Sequence, residues 1–97
     1  MIVEILDAAE RDLEDIADYI ARDNAARALS FIAELRGKCG DLSDFPRAFP
    51  LVERFEDHGV RRRKHGSYLI FFVIEPARIA IIRVLHASRD YTEILEP

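Results

Sequence analysis

The stretch VRRRKHGSYLIFFVIEPARIAIIRVLH, residues 60–86, contains three consecutive segments that are typical of β-strands. The first, Val60–His65, is followed at 66–67 by Gly-Ser, which is typical of a tight turn. The second, Tyr68–Ile74, is apolar at both odd and even positions, which indicates a central strand covered on both faces. After the turn sequence EPAR, the third segment (79–86) is rich in β-branched residues. This stretch therefore predicts three strands in one sheet.

The residues before this stretch predict one more strand and two helices. Residues 2–6 alternate between apolar and polar, as a short strand does, and Asp7 is predicted to cap a helix over 8–22 with Glu10 as its capping-box partner. Asn24 is predicted to cap a second helix, whose apolar residues recur at spacings of three and four up to Leu42. Two helices joined by so short a turn must lie antiparallel, as a helical hairpin.

The predicted fold class is α+β, with the order β-α-α-β-β-β. The helical hairpin packs on a mostly antiparallel sheet, and a loop of roughly a dozen residues leads from it to the second strand. A short C-terminal helix or tail begins at Ser88.

Strict alternation along the last strand leaves one question open. It places Arg83 on the same face as Ile79, Ile81 and Leu85, and it places Ala80, Ile82, Val84 and His86 on the other face. If Arg83 lies under the helices it needs a carboxylate partner, because an unpaired buried charge is costly. If Arg83 lies on the open face, it belongs to a cationic surface.

Composition excludes several classes of protein. A chain of 97 residues with 49% hydrophobic and 33% charged residues is that of a single folded domain (1–97), and it has no apolar run of the roughly 20 residues that span a bilayer. The single Cys39 excludes an internal disulfide and a cysteine-based zinc site. Residues 1–20 carry seven acidic side chains and one basic one, unlike a signal peptide. We therefore expect a cytoplasmic protein with no metal, no cofactor and no membrane partner.

Positive charge is concentrated in the second half of the chain. Residues 58–91 contain seven basic and two acidic side chains, and four of the basic residues are consecutive. An acidic half opposes nonspecific binding of nucleic acid, but one local cationic face remains possible. Lysine and arginine also protect sheet edges against aggregation, although four in a row exceed what an edge requires.

Three segments together resemble the RelE/ParE family of toxins from bacterial toxin–antitoxin modules, and most closely its ParE branch. They are AERDLEDIADYIA after the first strand, GSYLIFFVI on the third strand and IIRVLHASRD on the fourth. The resemblance covers nearly the whole chain in the same order. It implies the RelE-like fold and a toxin that is neutralised by an antitoxin, usually of the ParD type. It also implies binding to operator DNA through the toxin–antitoxin complex.

The resemblance allows two mechanisms. RelE-type toxins cut mRNA on the ribosome, whereas ParE-type toxins poison DNA gyrase by binding and have no known catalytic activity. RNA cleavage needs a base, an acid and cations, and the candidates here are Arg61, Lys64, Arg83, His86 and Tyr91. However, the strand YLIFFVIE has no cation and His86 precedes Ala87 rather than tyrosine, both of which favour the ParE mechanism. A third possibility is an antitoxin-binding corepressor that has lost toxicity.

Candidate contact residues follow from the same considerations. For the target, the resemblance indicates the segment 83–95, with Arg83, His86, Arg89 and Tyr91 as candidates. Arg83, His86 and Arg89 each have an ordinary structural alternative, such as local hydrogen bonding for His86. For the antitoxin, the candidates are apolar residues of the hairpin, which have an alternative place in the core, and the cationic block: Tyr19, Phe31, Leu35, Arg61, Arg62, Arg63 and Lys64. An acidic, apolar tail that orders on binding would fit these residues, and it could add a strand to an open sheet edge.

Overall fold

The computed structural model describes residues 1–96, and Pro97, the last residue of the predicted domain, lies outside the described part. The strands are β1 (Ile2–Ile5), β2 (Val60–His65), β3 (Tyr68–Ile74) and β4 (Arg78–His86). The helices are α1 (Asp7–Ala21), α2 (Ala25–Gly40) and the short α3 (Thr92–Leu95). Single 3₁₀ turns at Asp41–Ser43, Pro46–Ala48 and Glu56–His58 lie in the connection from α2 to β2. The predicted α+β class and order of elements are confirmed.

The sheet has the order β1-β4-β3-β2. β2 pairs with β3 and β3 pairs with β4 in antiparallel fashion, whereas β1 lies parallel to β4. This parallel pair is possible because β1 and β4 are joined by a long connection, residues 6–77, which contains the helical hairpin and strands β2 and β3.

The two faces of the sheet bury different sets of side chains. On one face, α1 and α2 cover Ile70, Phe72, Ile79, Ile81 and Val84. On the other face, Leu69, Phe71 and Leu85 lie under residues of the connection to β2 and under the C-terminal segment. Both faces of β3 are therefore buried, as its continuous apolar sequence predicts.

Two local predictions were wrong. Asp7 is inside α1 rather than capping it, and Leu6 at the N-cap position makes no side-chain hydrogen bond. Strict alternation along β4 also fails, because Phe71 lies opposite Arg83 and Phe72 lies opposite Ile81. This β-bulge leaves Ile82 without an opposite residue and shifts the alternation by one.

The β-bulge changes which residues face the helices. Val84 joins the face under the helices, and Leu85 moves to the opposite face. The predicted grouping of Leu85 with Ile79 and Ile81 is therefore wrong.

Candidate functional site

The cationic block of β2 is divided between the two faces of the sheet. Arg61, Arg63 and His65 lie opposite Phe72, Ile70 and Tyr68 of β3, which face the helices. Arg62 and Lys64 lie opposite Phe71 and Leu69, which face the other way. Successive side chains of a strand point to opposite faces, so the block consists of two sets of residues with different surroundings.

The set that faces the helices has partners inside the protein. The Arg61 guanidinium donates to the Phe49 carbonyl at 2.7 Å, and that of Arg63 donates to the Lys38 carbonyl at 3.0 Å. Arg63 also lies over the ring of Phe49, 4.9 Å from its centre. The His65 Nε2 lies 3.0 Å from a carboxylate oxygen of Glu34 on α2. These residues connect β2 to the connecting segment and to α2, which is a structural role.

The other set is exposed. Within residues 1–96, Arg62 and Lys64 form no side-chain hydrogen bond or ion pair. They border a groove of about 360 Å³ that is also lined by Phe49, Pro50 and Leu69. The connecting segment forms one wall of the groove, because the Arg62 N–H donates to the Pro50 carbonyl at 3.1 Å and the Val52 N–H donates to the Val60 carbonyl at 2.8 Å. We call this site the cationic groove.

The position of Arg83 is now determined. It lies under the helices, where its Nε and one terminal nitrogen each donate to the Asp12 carboxylate of α1 at 2.8 Å. Asp12 also accepts the Val84 N–H at 2.9 Å and is only 7% exposed. The hydrogen bonds to Asp12 raise the pKa of Arg83 further above its ordinary value. Arg83 therefore has the carboxylate that its position requires, and it is not part of an open cationic surface.

His86 is held at the end of β4 by its own chain. The Ser88 N–H donates to the His86 Nδ1 at 3.1 Å, and the Ser88 hydroxyl lies 2.7 Å from the same nitrogen. A backbone N–H is always a donor, so Nδ1 is an acceptor and the proton of the neutral ring is on Nε2. In this tautomer Nδ1 is the acceptor nitrogen, so the neutral ring cannot take a proton from a substrate without releasing the Ser88 N–H.

His86 contributes to a small cleft between α1 and the ends of β3 and β4. The cleft has a volume of about 150 Å³, and its lining includes Tyr19, Tyr68, His86 and Arg89. The Tyr68 ring meets His86 edge to face at 5.2 Å. Burial raises the pKa of Tyr68, and the neighbouring Tyr19 hydroxyl adds to the effect. Of the four target candidates, His86 and Arg89 therefore share one cleft.

Tyr91 lies on the other side of the sheet. Its ring packs against Phe71 with 5.0 Å between the ring centres, and it belongs to the cluster that includes Ile94 and Leu95. The five candidate catalytic residues are therefore not brought together. Arg61 and Arg83 are engaged in internal hydrogen bonds on the helix side, whereas Lys64 and Tyr91 face the opposite side.

A second exposed surface lies on the outside of the helical hairpin. A groove of about 380 Å³ lies between the outer surfaces of α1 and α2, and almost all of its lining is apolar. Leu29 is 77% exposed there, unusually high for a large apolar side chain. The other lining residues are Ala17, Asp18, Ala21, Ala25, Ala28 and Ile32. We call this site the hairpin groove.

The predicted antitoxin contacts of the hairpin are not in this groove. Leu35 is fully buried and Phe31 is 8% exposed, so both belong to the core. Tyr19 is 60% exposed and remains available on α1. Leu29 was not predicted as a contact residue, because it lies beside the buried stripe of α2 and not in it. Its sequence signal is a leucine that lies outside that stripe and follows Ala25, Ala26 and Ala28.

Within 1–96 there is no group of three His, Cys, Asp or Glu side chains that could hold a metal ion. Burial raises the pKa of the Cys39 thiol to about 11, so it is not a nucleophile near neutral pH.

None of the helices α1, α2 and α3 has the length and apolar content needed to cross a bilayer.

Comparison with known proteins identifies the family. The family model "ParE toxin of type II toxin-antitoxin system, parDE" matches residues 3–91. No curated protein sequence gives a significant match. Solved structures similar to this chain include the chromosomal ParDE toxin–antitoxin system from P. aeruginosa, with a TM-score of 0.73, 20% identity and coverage of 89% of this chain and 95% of that one. The toxin–antitoxin complex RelBE2 from Mycobacterium tuberculosis gives a TM-score of 0.57 and 26% identity, covering 88% of this chain and 95% of that one.

Fold and sequence therefore define the class of protein, a toxin of a type II toxin–antitoxin system with the RelE/ParE fold. Within that class, the chain belongs to the ParE toxin family.

Proposed function

We propose that this chain inhibits DNA gyrase by binding to it, without catalysis, and that a ParD-type antitoxin neutralises it. The observation that carries the proposal is the state of the candidate nuclease residues. Arg83 is held by Asp12, the His86 Nδ1 by Ser88, and Tyr91 packs against Phe71. RNA cleavage needs a base, an acid and cations around one phosphate, and these side chains do not converge.

The sheet face opposite the helices supports the same conclusion. Apolar residues of the connecting segment and of the C-terminal segment cover it, including Val52, Phe55 and Leu95. A strand of RNA needs an open, positively charged track with aromatic faces for stacking. In the described structure, the exposed cations on this face of β2 are Arg62 and Lys64, and β2 is the edge strand of the sheet.

The hairpin groove fits the antitoxin. An apolar groove between two helices is the usual receptor for the apolar face of an amphipathic helix. The exposed Leu29, together with the alanines around it, offers such a surface. The P. aeruginosa relative is described as a ParDE system, which supports a ParD-type partner here. We propose that operator DNA is bound through this toxin–antitoxin complex.

The test compares the two mechanisms in purified systems. The chain is added to DNA gyrase in a supercoiling assay and, separately, to ribosomes translating a defined mRNA. Our proposal predicts inhibition of supercoiling that the antitoxin reverses, and intact mRNA. Cleavage of the mRNA with normal supercoiling would contradict it, and no effect in either assay would favour the non-toxic corepressor.

A further inference from the structure

No polar contact within the described part of the chain uses the positive charge of the cationic groove. Arg61, Arg63 and His65 connect β2 to its neighbours, but Arg62 and Lys64 are exposed and have no polar partner in the described residues. Edge protection does not explain Arg62, because residues 50–52 already cover β2 there: Leu51 pairs with Arg61, and the Arg62 N–H donates to the Pro50 carbonyl. Lys64 lies two residues beyond this pairing, on the same face as Arg62. The two exposed cations lie beside the apolar residues Pro50 and Leu69, which indicates a surface for an anionic partner that also has apolar groups.

The chemistry of the groove distinguishes a peptide from a nucleic acid. A single strand of nucleic acid would need aromatic faces on which its bases stack. Phe49 is the aromatic residue that lines the groove, and the Arg63 guanidinium lies over its ring. Leu69 and Pro50 form an apolar surface that suits a side chain rather than a phosphate backbone.

The spacing of the cations fits an extended segment. Arg62 and Lys64 are two residues apart on one strand, so their Cα atoms are about 7 Å apart. Carboxylates two residues apart in an extended peptide have the same separation. Acidic side chains of such a peptide can therefore meet both cations at once, while its apolar side chains reach Leu69 and Pro50.

We propose that the cationic groove binds an extended, acidic and partly apolar segment of the protein that this toxin inhibits. The inference rests on the proposed function for the identity of that protein as gyrase. The hairpin groove, proposed for the antitoxin, is lined by the two helices, whereas the cationic groove is bordered by Arg62 and Lys64 on the opposite face of the sheet. The hairpin groove is apolar and the cationic groove carries two exposed cations, so the two grooves can bind different partners. The proposal places the target surface on β2, whereas the resemblance indicates the segment 83–95.

The first experiment uses the variant R62E/K64E in the supercoiling assay. Two reversed charges at a bound surface should raise the concentration needed for half-inhibition by about tenfold or more. The control, Arg11→Glu, reverses a charge on exposed α1 and should change inhibition less than about twofold. Binding of the antitoxin by R62E/K64E should be unchanged, which also shows that the variant folds. Unchanged inhibition, or loss of antitoxin binding instead, would overturn the inference.

A second experiment tests the groove without gyrase. The intact chain is titrated with a short, terminally blocked peptide of alternating glutamate and leucine, with the same peptide carrying lysine for glutamate, and with oligothymidylate. The inference predicts that the glutamate peptide alone binds, that the backbone N–H signals of Arg62, Lys64 and Leu69 shift, and that R62E/K64E weakens binding about tenfold. Tighter binding of oligothymidylate, or no binding of the glutamate peptide, would overturn it. If wild-type chain binds the peptide but does not inhibit gyrase, the proposed target is wrong and the groove chemistry stands.

Discussion

The buried pair of Asp12 and Arg83 gives the largest stability prediction. Asp12→Ala removes three hydrogen bonds, two from Arg83 and one from the Val84 N–H. The Val84 N–H is buried, so leaving it without a partner costs about 1–3 kcal/mol. Separating a fully buried ion pair costs about 3–5 kcal/mol, but the Arg83 side chain is 26% exposed and retains some hydration. We take about 1–2 kcal/mol for that loss.

Together these terms predict that Asp12→Ala lowers the free energy of unfolding by about 3 kcal/mol. For a domain of this size, that corresponds to a fall in melting temperature of roughly 12–24 °C. The assay is urea unfolding of the wild type and of Asp12→Ala, Arg83→Met and the double variant. Glu14→Ala, an exposed change on the same helix, serves as the control and should cost less than about 0.5 kcal/mol.

The double-mutant cycle isolates the pair itself. Arg83→Met should cost at least about 1 kcal/mol less in the Asp12→Ala background than in the wild type, because its partner is already absent. Additive effects, or a cost below about 1 kcal/mol for Asp12→Ala alone, would refute the reasoning that this contact anchors α1 to β4.

Three further predictions use other contacts. Arg36 donates two hydrogen bonds to Glu10 and lowers the Glu10 pKa below the ordinary 4.5, so the contact stabilises the fold above pH 4.5 and this contribution is lost as the pH falls through the lowered pKa. Glu10→Gln should therefore lower the free energy of unfolding by about 0.5 kcal/mol at pH 7. In unfolding curves measured in acid, the difference from wild type should vanish. Cys39 is buried, and burial raises its pKa to about 11. A thiol reagent at pH 8 should therefore modify the folded chain roughly a hundredfold more slowly than the urea-unfolded chain. Similar rates for the two would show that the core is open to the reagent. Leu29→Glu should weaken antitoxin binding, measured by calorimetry, about tenfold or more. Because Leu29 is exposed, the free energy of unfolding should change by less than about 0.5 kcal/mol. Unchanged affinity would exclude the hairpin groove as the antitoxin site.

The order of elements was predictable because each one has a local signal. The two helices show apolar spacings of three and four, and Asn24 caps α2 by accepting from the Arg27 N–H at 2.9 Å. The continuous apolar sequence of β3 required a central position, which the sheet order confirms.

The details of the site depended on contacts between distant residues. Asp12 and Arg83 are separated by 71 positions, and nothing in either local sequence identifies the partner. The β-bulge opposite Phe71 and Phe72 has no sequence signal, although it exchanges the faces of Val84 and Leu85. The division of RRRK by strand alternation could have been predicted, but which half is free depends on the chain segment that provides Phe49 and Pro50.

The most direct test of the central claim is made in bacteria that express this chain without its antitoxin. DNA synthesis and protein synthesis are followed separately by pulse labelling over the first minutes after induction. Inhibition of gyrase by binding predicts that DNA synthesis falls first while protein synthesis continues. An early fall in protein synthesis with DNA synthesis intact would contradict the account and return Arg61, Lys64 and His86 to the list of catalytic candidates.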